Sequence, residues 1–371
     1  MDILIIEPYF TGSHAAWARG IQQHSRHSVS LLTMPGRFWK WRMHGASVTL
    51  ARNFLKGDYT PDLVIATDML DLAGFLGLAR QKMNGVPVAI YFHENQLTYP
   101  WSPDDRDLKK NRDRHYCFIN FQSALAADHV FFNSSYHMES FLGAIPGFLN
   151  AFPDYRELGR VEDIRAKSRV LPLGMDLARF DEVSQVGDHE QDDTPLLLWN
   201  HRWEYDKNPD DFFDAMYRLE DRGLEYSLAL LGEHFVSEPK SFRKAKKKLK
   251  HRIQQFGYAD SFEDYARWLW RSRMLPVTSN QDFFGISIME AMYCGCVPIL
   301  PRRLTYPELV PEDRFPEVFY DSQEELVEKL ERFMREGVPY NANDFRTIAA
   351  QYNWGRMIHH YDGLFEQMLL T

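Results

Sequence analysis

The sequence predicts an α/β fold built from two Rossmann-like domains that face each other across a cleft. Short apolar runs of strand length alternate with longer helical patterns, which is typical of parallel sheets with crossover helices. This alternation occurs twice, and a polar, acid-rich stretch separates the two series. The chain has 371 residues, which also favours two domains, because one domain usually spans ~100–200 residues.

The first series begins near the N-terminus. We predict strands at 3–6, 29–32, 63–66, 87–91 and 130–132, with helices between them that include 15–23 and 70–83. The strand segments are short and apolar, and the helical segments carry apolar residues on one face. These elements indicate an N-terminal Rossmann-like domain over residues 1–175.

The second series follows residues 181–193, which show no strong period and are interpreted as an interdomain linker. The predicted strands are 195–199, 227–231, 275–278 and 297–300, and the predicted helices are 209–219, 242–255, 262–270 and 286–293. They indicate a second Rossmann-like domain over residues 176–352. The last segment, 353–371, is amphipathic at helical spacing and is expected to form a helix at the domain junction.

The composition argues against several classes of protein. A net charge of −9 argues against a uniformly basic nucleic-acid binder, so a nucleic acid would have to bind at a local basic patch. The three cysteines, Cys117, Cys294 and Cys296, are too few for a disulfide scaffold or a four-cysteine zinc site. The N-terminus is acidic where a signal peptide is basic, and no apolar run approaches the ~20 residues of a membrane span. We therefore expect a cytoplasmic protein with no membrane partner.

A Gly-Ser turn follows the first predicted strand. The sequence FTGSH at residues 10–14 opens a helix, where Gly12 permits close backbone approach and Ser13 is suited to cap the helix. A ligand loop and a plain helix cap are both consistent with this turn. It lacks the G-x-G-x-x-G pattern, which argues against a dinucleotide-dependent oxidoreductase.

Two cations stand at the end of a strand in the second series. Arg202 and Lys207 precede a helix that starts at Pro209. Such side chains at a helix N-terminus suit a diphosphate, since a guanidinium can bind two oxygens and an ammonium acts as a point charge. They would also stabilise the charge on a departing diphosphate. A surface salt bridge is the alternative interpretation.

Two carboxylates flank a glycine turn further along the same domain. Asp282 and Glu290 enclose Gly285 and Ile286, which stand at the start of a predicted helix. Asp282 can accept hydrogen bonds from sugar hydroxyls and Glu290 from a ribose, while the intervening amides face the charge of the ligand. Two unrelated surface acids are the alternative. No D-x-D metal-binding pair accompanies these residues, so we expect no metal ion and no cofactor.

Two basic segments could bind RNA. Residues 37–42 interleave cations with large aromatic side chains, which suits stacking on unpaired bases and contacts with phosphates. Residues 240–252 contain eight Lys or Arg and no acid, which could supply sequence-independent affinity for RNA. Aromatic packing is the alternative for 37–42. For 240–252 we favour the alternative, which is a solvated helix face.

Together these motifs resemble the retaining GT-B glycosyltransferases of family 4. The resemblance rests on Arg202 with Lys207, on the D-x(7)-E element of Asp282 and Glu290, and on G-M-D-x-x-x-F at residues 174–180. It implies the GT-B fold and transfer of a sugar from a nucleotide-sugar donor with retention of configuration. The usual pattern in that family is E-x(7)-E. Asp282 departs from it, which changes the reach of the carboxylate toward the transferred sugar.

A narrower resemblance is to the tRNA-queuosine α-mannosyltransferases. It is carried by FTGSH at 10–14, YFHENQL at 91–97, HRWEYDKNP at 201–209, and YCGC at 293–296 with YPE at 306–308. It extends over about residues 2–310. It implies GDP-mannose as the donor and the queuosine of a tRNA anticodon, of the tRNA-Asp type, as the acceptor. Domain 1–175 would then bind the acceptor and domain 176–352 the donor.

This resemblance and the motifs above give a set of expected site residues. Those expected to be catalytic are His93, Arg202, Lys207 and Asp282, and the resemblance implies that His93 lies near the reacting sugar. Those expected to bind the donor are Gly12, Ser13, Arg202, Lys207, Gly232, Asp282, Gly285, Ile286 and Glu290, with the base near residues 232–234. Those expected to bind the acceptor are Arg37, Trp39, Lys40, Trp41, Arg42, Glu94 and Asn95. Taken alone, a structural histidine is the alternative for His93.

Three competing functions stay open at this point. The same donor chemistry could serve a glycan or a small-molecule acceptor. The chain could bind a nucleotide-sugar or a tRNA without turnover, or it could be a sugar-nucleotide epimerase of GT-B form. The intact set of Arg202, Lys207, Asp282 and Glu290 argues against a binding protein, and a tRNA-binding test separates the acceptors.

Overall fold

The computed structural model of the protein describes residues 1–102, 115–184, 194–232 and 238–370. The chain divides into two compact units, Met1–Asp176 with Trp354–Thr371, and Leu177–Asn353. Each unit contains one six-stranded sheet with connecting helices. All strand pairs in both sheets are parallel, so the predicted α/β class is confirmed.

The sheet of the first unit has the order β2-β1-β3-β4-β5-β6. Strands β1 to β6 are, in chain order, Asp2–Phe10, Ser28–Pro35, Leu63–Thr67, Val88–Phe92, His129–Phe132 and Ser168–Val170. The five predicted strands correspond to β1 to β5, and β6 is a further short strand at the edge. Strand β2 lies on one side of β1, and β3 to β6 follow on the other, so the order reverses between β1 and β3.

Within the described residues, six helices accompany these strands. Helices α1 to α6 are Gly12–His24, Trp39–Lys56, Leu72–Met83, His115–Ala126, Ser135–Leu149 and Arg160–Ala166. Helices α1 and α3 confirm two predictions, but the predicted cap at Ser13 is wrong. Thr11 occupies the N-cap position of α1 without a side-chain cap bond, and Gly12 has a φ of 49°. Ser13 already lies inside the first turn, and Gly12 and Ser13 are both exposed.

The central strands of the first unit are buried on both faces, which explains their unbroken apolar sequences. Strand β3 reads LVIAT and β4 reads VAIYF, and every residue of both is buried. Helices cover both faces of a parallel sheet, so its strands do not alternate polar and apolar residues. Phe92 of β4 stacks on Phe132 of β5 with ring centroids 5.0 Å apart. The polar groups that follow these two strands, Asp68 after β3 and His93 after β4, therefore lie at the strand ends.

The sheet of the second unit has the order β12-β11-β10-β7-β8-β9. Strands β7 to β12 are Leu196–Trp199, Ser227–Leu231, Ile253–Gly257, Met274–Pro276, Val297–Pro301 and Phe319–Tyr320. The four predicted strands correspond to β7, β8, β10 and β11. The structure adds β9 and β12 at the two edges.

The described part of the second unit contains eight helices. Helices α7 to α14 are Arg179–Ser184, Pro209–Asp221, Lys240–Lys248, Phe262–Arg271, Ile286–Tyr293, Tyr306–Leu309, Gln323–Glu336 and Ala342–Ala350. Two short 3-10 turns are Tyr205–Lys207 and Pro316–Val318. Helices α8, α10 and α11 confirm three predictions.

The helix predicted over 242–255 is wrong in its second half. Helix α9 ends at Lys248, and Ile253–Gly257 instead forms strand β9. Leu249 is buried at the end of α9, after which Ile253 pairs with Leu228 of β8. Pairing with the edge of the sheet satisfies the backbone of this segment and overrides its local helical pattern.

The predicted linker over 181–193 also begins too early. Residues 181–184 belong to helix α7 of the second unit. Asp181 accepts hydrogen bonds from Arg346 Nη2 at 2.6 Å and from the Tyr293 hydroxyl at 2.8 Å. These contacts hold the start of the predicted linker within the second unit. The rest of the predicted linker, 185–193, lies outside the described residues.

The closing helix α15, Trp354–Met368, belongs to the first unit and packs on α1. Trp17 Nε1 of α1 donates a hydrogen bond of 2.9 Å to the Tyr361 hydroxyl. Ser25, just after α1, donates to Asp362 Oδ1 at 2.6 Å. No helix in the described part of the chain has the length and apolarity needed to cross a membrane.

The Trp354 side chain fills space that two glycines leave open. A Cβ placed on Gly20 of α1 would lie 2.1 Å from Trp354 Cε2, and one on Gly174 would lie 2.3 Å from Trp354 Cε3. We expect Gly20→Ala to lower the free energy of unfolding of the first unit by about 1–3 kcal/mol, because overpacking outweighs the ~1 kcal/mol that alanine gains over glycine in a helix. Urea-induced unfolding measures this change.

Gly77→Ala is the matched control for that prediction. Gly77 is an exposed glycine inside α3, and a Cβ there would meet nothing within 4 Å. This variant should be as stable as the wild type or slightly more stable. If Gly20→Ala and Gly77→Ala were equally stable, the close packing of Trp354 against α1 would be contradicted.

Candidate active site

Two strand ends of the second unit bring predicted site residues together. Strands β7 and β10 are neighbours in the sheet. Arg202 and Lys207 follow β7, and Asp282 and Glu290 follow β10. The carboxyl ends of parallel strands meet at one edge of a sheet, and ligands of open α/β sheets bind there.

Lys207 and Asp282 form a largely buried ion pair at this edge. Lys207 Nζ lies 2.7 Å from Asp282 Oδ1 and donates to the carbonyl oxygen of Gln281, also at 2.7 Å. The other Asp282 oxygen accepts a hydrogen bond of 2.6 Å from the Tyr306 hydroxyl. Burial alone would raise the pKa of Asp282, but Lys207 and then His201 hold it below its usual value. The carboxylate is therefore charged and held in a fixed orientation.

Arg202 lies beside this pair with about half of its side chain exposed. Its guanidinium is 4.0 Å from Asp206 Oδ2, and the same oxygen is 3.4 Å from Lys207 Nζ. Asp206 is buried. The two cations thus share one buried carboxylate and are close enough to contact one diphosphate.

Glu290 is held on helix α11 by two partners. The Tyr265 hydroxyl donates to Glu290 Oε2 at 2.7 Å, and Arg179 Nη2 lies 3.5 Å from Glu290 Oε1. Burial raises the pKa of Glu290, while Tyr265 and Arg179 act in the opposite direction. A carboxyl group fixed in this way can accept a hydrogen bond from a ligand hydroxyl.

Helix α11 begins at this site without a side-chain cap. Gly285 occupies its N-cap position with a φ of 90°, in the left-handed region that favours glycine. The first amides of a helix have no acceptor within the helix. The backbone at Gly285 and Ile286 is therefore suited to an anionic or strongly polar ligand.

Two polar residues join the end of β7 to the start of α11. Asn200 Nδ2 donates to the carbonyl oxygen of Ser287 at 2.7 Å, and Ser287 Oγ lies 2.9 Å from His201 Nδ1. No role was expected for Asn200, His201 or Ser287, because polar residues after a strand are also common in ordinary turns. None was expected for Tyr265 or Tyr306 either, because they lie many residues away from the acids they contact.

His201 should make the second unit less stable in acid. Burial lowers the pKa of His201 from 6.5 to about 4, although Asp282 acts in the opposite direction. The unfolded chain takes up a proton at a higher pH than the folded chain, so stability is lost as the pH falls from 6.5 to about 4. The full loss from this one group is about 3 kcal/mol. We expect the Tm of His201→Gln to fall less than that of the wild type over this range.

The control for that prediction is His360→Gln. His360 is exposed on α15, so this variant tests the loss of a histidine away from the site. Its Tm should follow that of the wild type across the pH range. If the Tm of the wild type and the Tm of His201→Gln fell equally with decreasing pH, the effect assigned to His201 would be contradicted.

Gly232 brings the end of β8 close to the motif that follows β7. Its φ is 136°, and a Cβ there would lie 2.1 Å from the carbonyl oxygen of His201 and 2.9 Å from Trp203 Cδ1. Only glycine fits this position, so the backbone of β8 passes directly beside the site. Residues 233 and 234, expected near the base of the donor, lie outside the described residues.

In the first unit, His93 lies where β4 ends, next to two other strand ends. Its backbone N–H donates to Asp68 Oδ1 at 2.8 Å, and its ring lies against the ring of His14 with centroids 4.1 Å apart. His14 Nδ1 lies 2.9 Å from Glu7 Oε2. One ligand atom each from Glu7, His14 and His93 lies within 4.8 Å of the other two, a spacing that a metal ion could use.

Burial and neighbouring charges set different protonation states for these groups. Burial acts to lower the pKa of His14, but Glu7 raises it, and the result is about 9. Burial, and then the nearby His14, hold the pKa of His93 well below its ordinary value. Burial raises the pKa of Asp68 to about 8 against the effect of His14. At neutral pH a cationic His14 therefore lies against a neutral His93.

Glu94 and Asn95 continue the loop after His93. Glu94 is half-buried, and its Oε1 accepts a hydrogen bond from Gln96 Nε2 at 3.1 Å. Asn95 is fully buried, and its Oδ1 accepts from the backbone N–H of Leu97 at 3.0 Å. Asn95 thus holds the shape of the loop, whereas Glu94 reaches its surface.

The segment 37–42 is divided between the surface and the interior. Phe38 and Trp41 have exposed fractions of 71% and 64%. The Arg37 guanidinium lies 5.9 Å from the centroid of the Phe38 ring. Phe38 was not among the expected acceptor-binding residues, although it is the most exposed aromatic of the segment.

The remaining residues of the segment pack inward. Trp39 and Tyr116 have ring centroids 5.1 Å apart, and Lys40 Nζ lies 5.4 Å from the centroid of Trp39. Arg42 is buried, and its Nε donates to a backbone carbonyl oxygen at 3.1 Å. The part of the segment that could stack on a base is therefore the pair Phe38 and Trp41.

The basic helix α9 of the second unit packs through Phe242 and Ala245, both fully buried. Lys244 and Lys248 lie over the ring of Tyr217, at 5.0 Å and 5.2 Å from its centroid. Their stems cover apolar surface while their charges face outward.

The whole chain is similar to solved glycosyltransferase structures. Anabaena HepE in complex with UDP superposes with a TM-score of 0.72 at 16% identity, covering 99% of this chain and 100% of that chain. Sucrose-phosphate synthase from Thermosynechococcus elongatus superposes with a TM-score of 0.68 at 15% identity, covering 100% of this chain and 99% of that chain. The protein therefore has the GT-B fold with two Rossmann-like domains, as predicted.

Sequence comparison identifies the family. Residues 2–175 match the family described as tRNA-queuosine alpha-mannosyltransferase N-terminal, and residues 182–351 match glycosyl transferases group 1. The tRNA-queuosine alpha-mannosyltransferase of Drosophila melanogaster is 33% identical over 339 residues, covering 90% of this chain and 87% of that protein. The chain therefore belongs to the tRNA-queuosine alpha-mannosyltransferase family of glycosyltransferases.

Proposed function

We propose that the protein transfers mannose from GDP-mannose to the queuosine of a tRNA anticodon, of the tRNA-Asp type, with retention of configuration at the anomeric carbon. The observation that carries this proposal is the largely buried ion pair of Lys207 and Asp282 beside the start of α11, in a chain 33% identical to a tRNA-queuosine alpha-mannosyltransferase. Its partners are then a tRNA and a nucleotide-sugar, and no cofactor takes part.

We assign the donor diphosphate to Arg202 and Lys207. Both lie within 4.0 Å of Asp206 Oδ2, so one diphosphate can contact both. When the bond between the anomeric carbon and the diphosphate breaks, negative charge builds on the β-phosphate. Nearby cations stabilise this charge more in the transition state than in the ground state.

We assign the mannose to Asp282 with the amides of Gly285 and Ile286, and the ribose to Glu290. The Asp282 carboxylate is charged and retains lone pairs beyond those used by Lys207 and Tyr306. Lys207 would then contact the diphosphate and orient the carboxylate that binds the sugar. This coupling makes the pair central to the donor site.

The proposed reaction replaces one bond at the anomeric carbon with another on the same face of the sugar. The bond to the diphosphate breaks through an oxocarbenium-like state, and a hydroxyl of the queuosine cyclopentenediol bonds to the anomeric carbon. The proton of that hydroxyl passes to the leaving phosphate oxygen. The cations of the second unit neutralise the leaving charge, so the reaction proceeds without a metal ion. His93 is assigned near the reacting sugar.

We assign the RNA to the surface around residues 37–42. Phe38 and Trp41 offer exposed aromatic faces, and Arg37 adds a cation beside them. Unpaired anticodon bases are recognised by such stacking together with phosphate contacts.

The test is a mass measurement on nucleosides. The purified protein is incubated with GDP-mannose and with either queuosine-containing or queuosine-lacking tRNA, with EDTA and without added metal, and the RNA is then digested. We expect a hexose increment on queuosine alone, and its removal by α-mannosidase but not by β-mannosidase.

Each other outcome identifies a competing function. No increment with any of several nucleotide-sugars, from folded protein, would contradict the tRNA proposal and point to a glycan or a small-molecule acceptor. Release of an epimerised sugar without RNA product would indicate an epimerase. Binding of tRNA or donor without any turnover would indicate a binding protein.

A further inference from the structure

The carboxyl ends of strands β1, β3 and β4 in the first unit have the placement of a ligand site, and we refer to this place as the crevice. The strand order reverses between β1 and β3, and open α/β sheets bind ligands outside the carboxyl ends of the strands at such a reversal. Glu7 lies near the end of β1, Asp68 directly follows β3, and His93 directly follows β4. The exposed turn at Gly12 borders the same strand ends.

The crevice holds a buried polar group that lacks a partner. His93 is 8% exposed, and neither of its ring nitrogens has a hydrogen-bond partner among the described residues. A buried imidazole without a partner loses the hydrogen bonds that water would supply, and this loss is unfavourable. A ligand that hydrogen-bonds to His93 would remove this cost.

The carboxyl group of Asp68, whose Oδ1 accepts the backbone N–H of His93, could pair with a cation. Glu7 and His14 form an ion pair at 2.9 Å, and their charges offset each other. Asp68 is 1% exposed and forms no ion pair with any described residue. Its Oδ1 accepts a hydrogen bond from the backbone N–H of His93, at 2.8 Å. Burial raises the pKa of Asp68 to about 8, so a cationic hydrogen-bond donor bound beside this group would stabilise its ionised form.

The proposed acceptor carries such a donor. In queuosine a secondary amine links the deazaguanine to the cyclopentenediol, and at neutral pH it is an ammonium with two N–H groups. We propose that this crevice binds that ammonium, with the Asp68 carboxylate accepting one N–H and a His93 ring nitrogen accepting the other. This inference rests on the proposed function, and it assigns the recognition of queuosine to residues of the first unit.

Binding of the queuosine ammonium by His93 also agrees with the assignment of His93 near the reacting sugar. The ammonium nitrogen is bonded directly to the ring that carries the reacting hydroxyls. A histidine that holds the ammonium therefore lies close to the atoms that react, and the same contact positions the acceptor.

The test compares the affinity of the protein for queuosine-containing and queuosine-lacking tRNA. The full-length wild type should bind the modified tRNA more tightly. Asp68→Asn should reduce this preference by about 10-fold, because it removes a charged hydrogen bond, and should leave the affinity for unmodified tRNA unchanged. An asparagine oxygen can still accept the His93 N–H, so the loop should keep its fold.

Asp58→Asn is the matched control. Asp58 is exposed in the same unit, and the substitution is chemically identical. This variant should keep the wild-type preference. His93→Gln provides a second variant if Asp68→Asn fails to fold, and it should also lose the preference.

The outcomes separate this inference from the proposed function. If the wild type transfers mannose to queuosine but Asp68→Asn keeps the full preference for modified tRNA, the inference is wrong. If the wild type transfers no mannose to any tRNA, the proposed function itself fails. Stoichiometric zinc in the purified protein, lost in His14→Gln, would assign the crevice to a metal ion and overturn the inference.

Discussion

Lys207→Met should lower kcat for mannose transfer by a factor of about 10³. Lys207 Nζ is 2.7 Å from Asp282 Oδ1 and 3.4 Å from Asp206 Oδ2. The substitution removes the cation assigned to the β-phosphate while keeping a side chain of similar length. It also removes a counter-ion from the buried carboxylate of Asp206 and the largely buried carboxylate of Asp282. The measurement is kcat at saturating donor and tRNA, made below the Tm of the variant.

Folding and catalysis must be separated for this variant. Leaving a buried charge without its partner costs about 3–5 kcal/mol, so the Tm of Lys207→Met should fall as well. Lys247→Met is the control, because Lys247 is exposed on α9 of the same unit, and this variant should keep wild-type kcat. A folded Lys207→Met protein with kcat within about 10-fold of the wild type would contradict the assigned role.

Asp282→Asn should lower kcat/KM for the donor by a factor of about 10². Asparagine keeps the shape of the side chain and can accept the hydrogen bond from the Tyr306 hydroxyl. It loses the charge that pairs with Lys207 and that strengthens hydrogen bonds to the mannose hydroxyls. KM for the queuosine-containing tRNA should stay unchanged, because that substrate is assigned to the first unit.

The control for this second prediction is Asp260→Asn, at an exposed position of the second unit. It should match the wild type in both kinetic constants. If Asp282→Asn lowers the Tm but leaves kcat/KM for GDP-mannose unchanged, Asp282 serves the fold of the unit and does not bind the sugar.

The sequence predicts the central strands because burial gives them a strong local signal. Strands such as Leu63–Thr67 and Val88–Phe92 are apolar throughout, since helices cover both faces of the sheet. Strand Ile253–Gly257 has no such signal. It reads IQQFG at the edge of its sheet, and only its pairing with β8 determines its structure.

Part of the donor site can also be predicted from a local sequence signal. Lys207 and Asp282 lie in motifs that adjoin strands, so their chemistry is visible in the sequence, and strand order brings them together. Tyr306 and Tyr265 each contact one of the site acids from a distant part of the chain. Tyr306 lies in the YPE motif at 306–308, but that motif does not show which acid the tyrosine contacts, and no motif includes Tyr265, because both contacts depend on tertiary packing.

Calorimetric titration with GDP tests the central claim, that the second unit holds the donor site around Lys207, Asp282 and Glu290. We expect the wild type and Asp68→Asn to bind GDP with the same affinity. Lys207→Met, measured at a temperature where it is folded, should bind GDP at least about 10-fold more weakly. Unchanged GDP affinity in Lys207→Met, or a loss in Asp68→Asn alone, would contradict the claim.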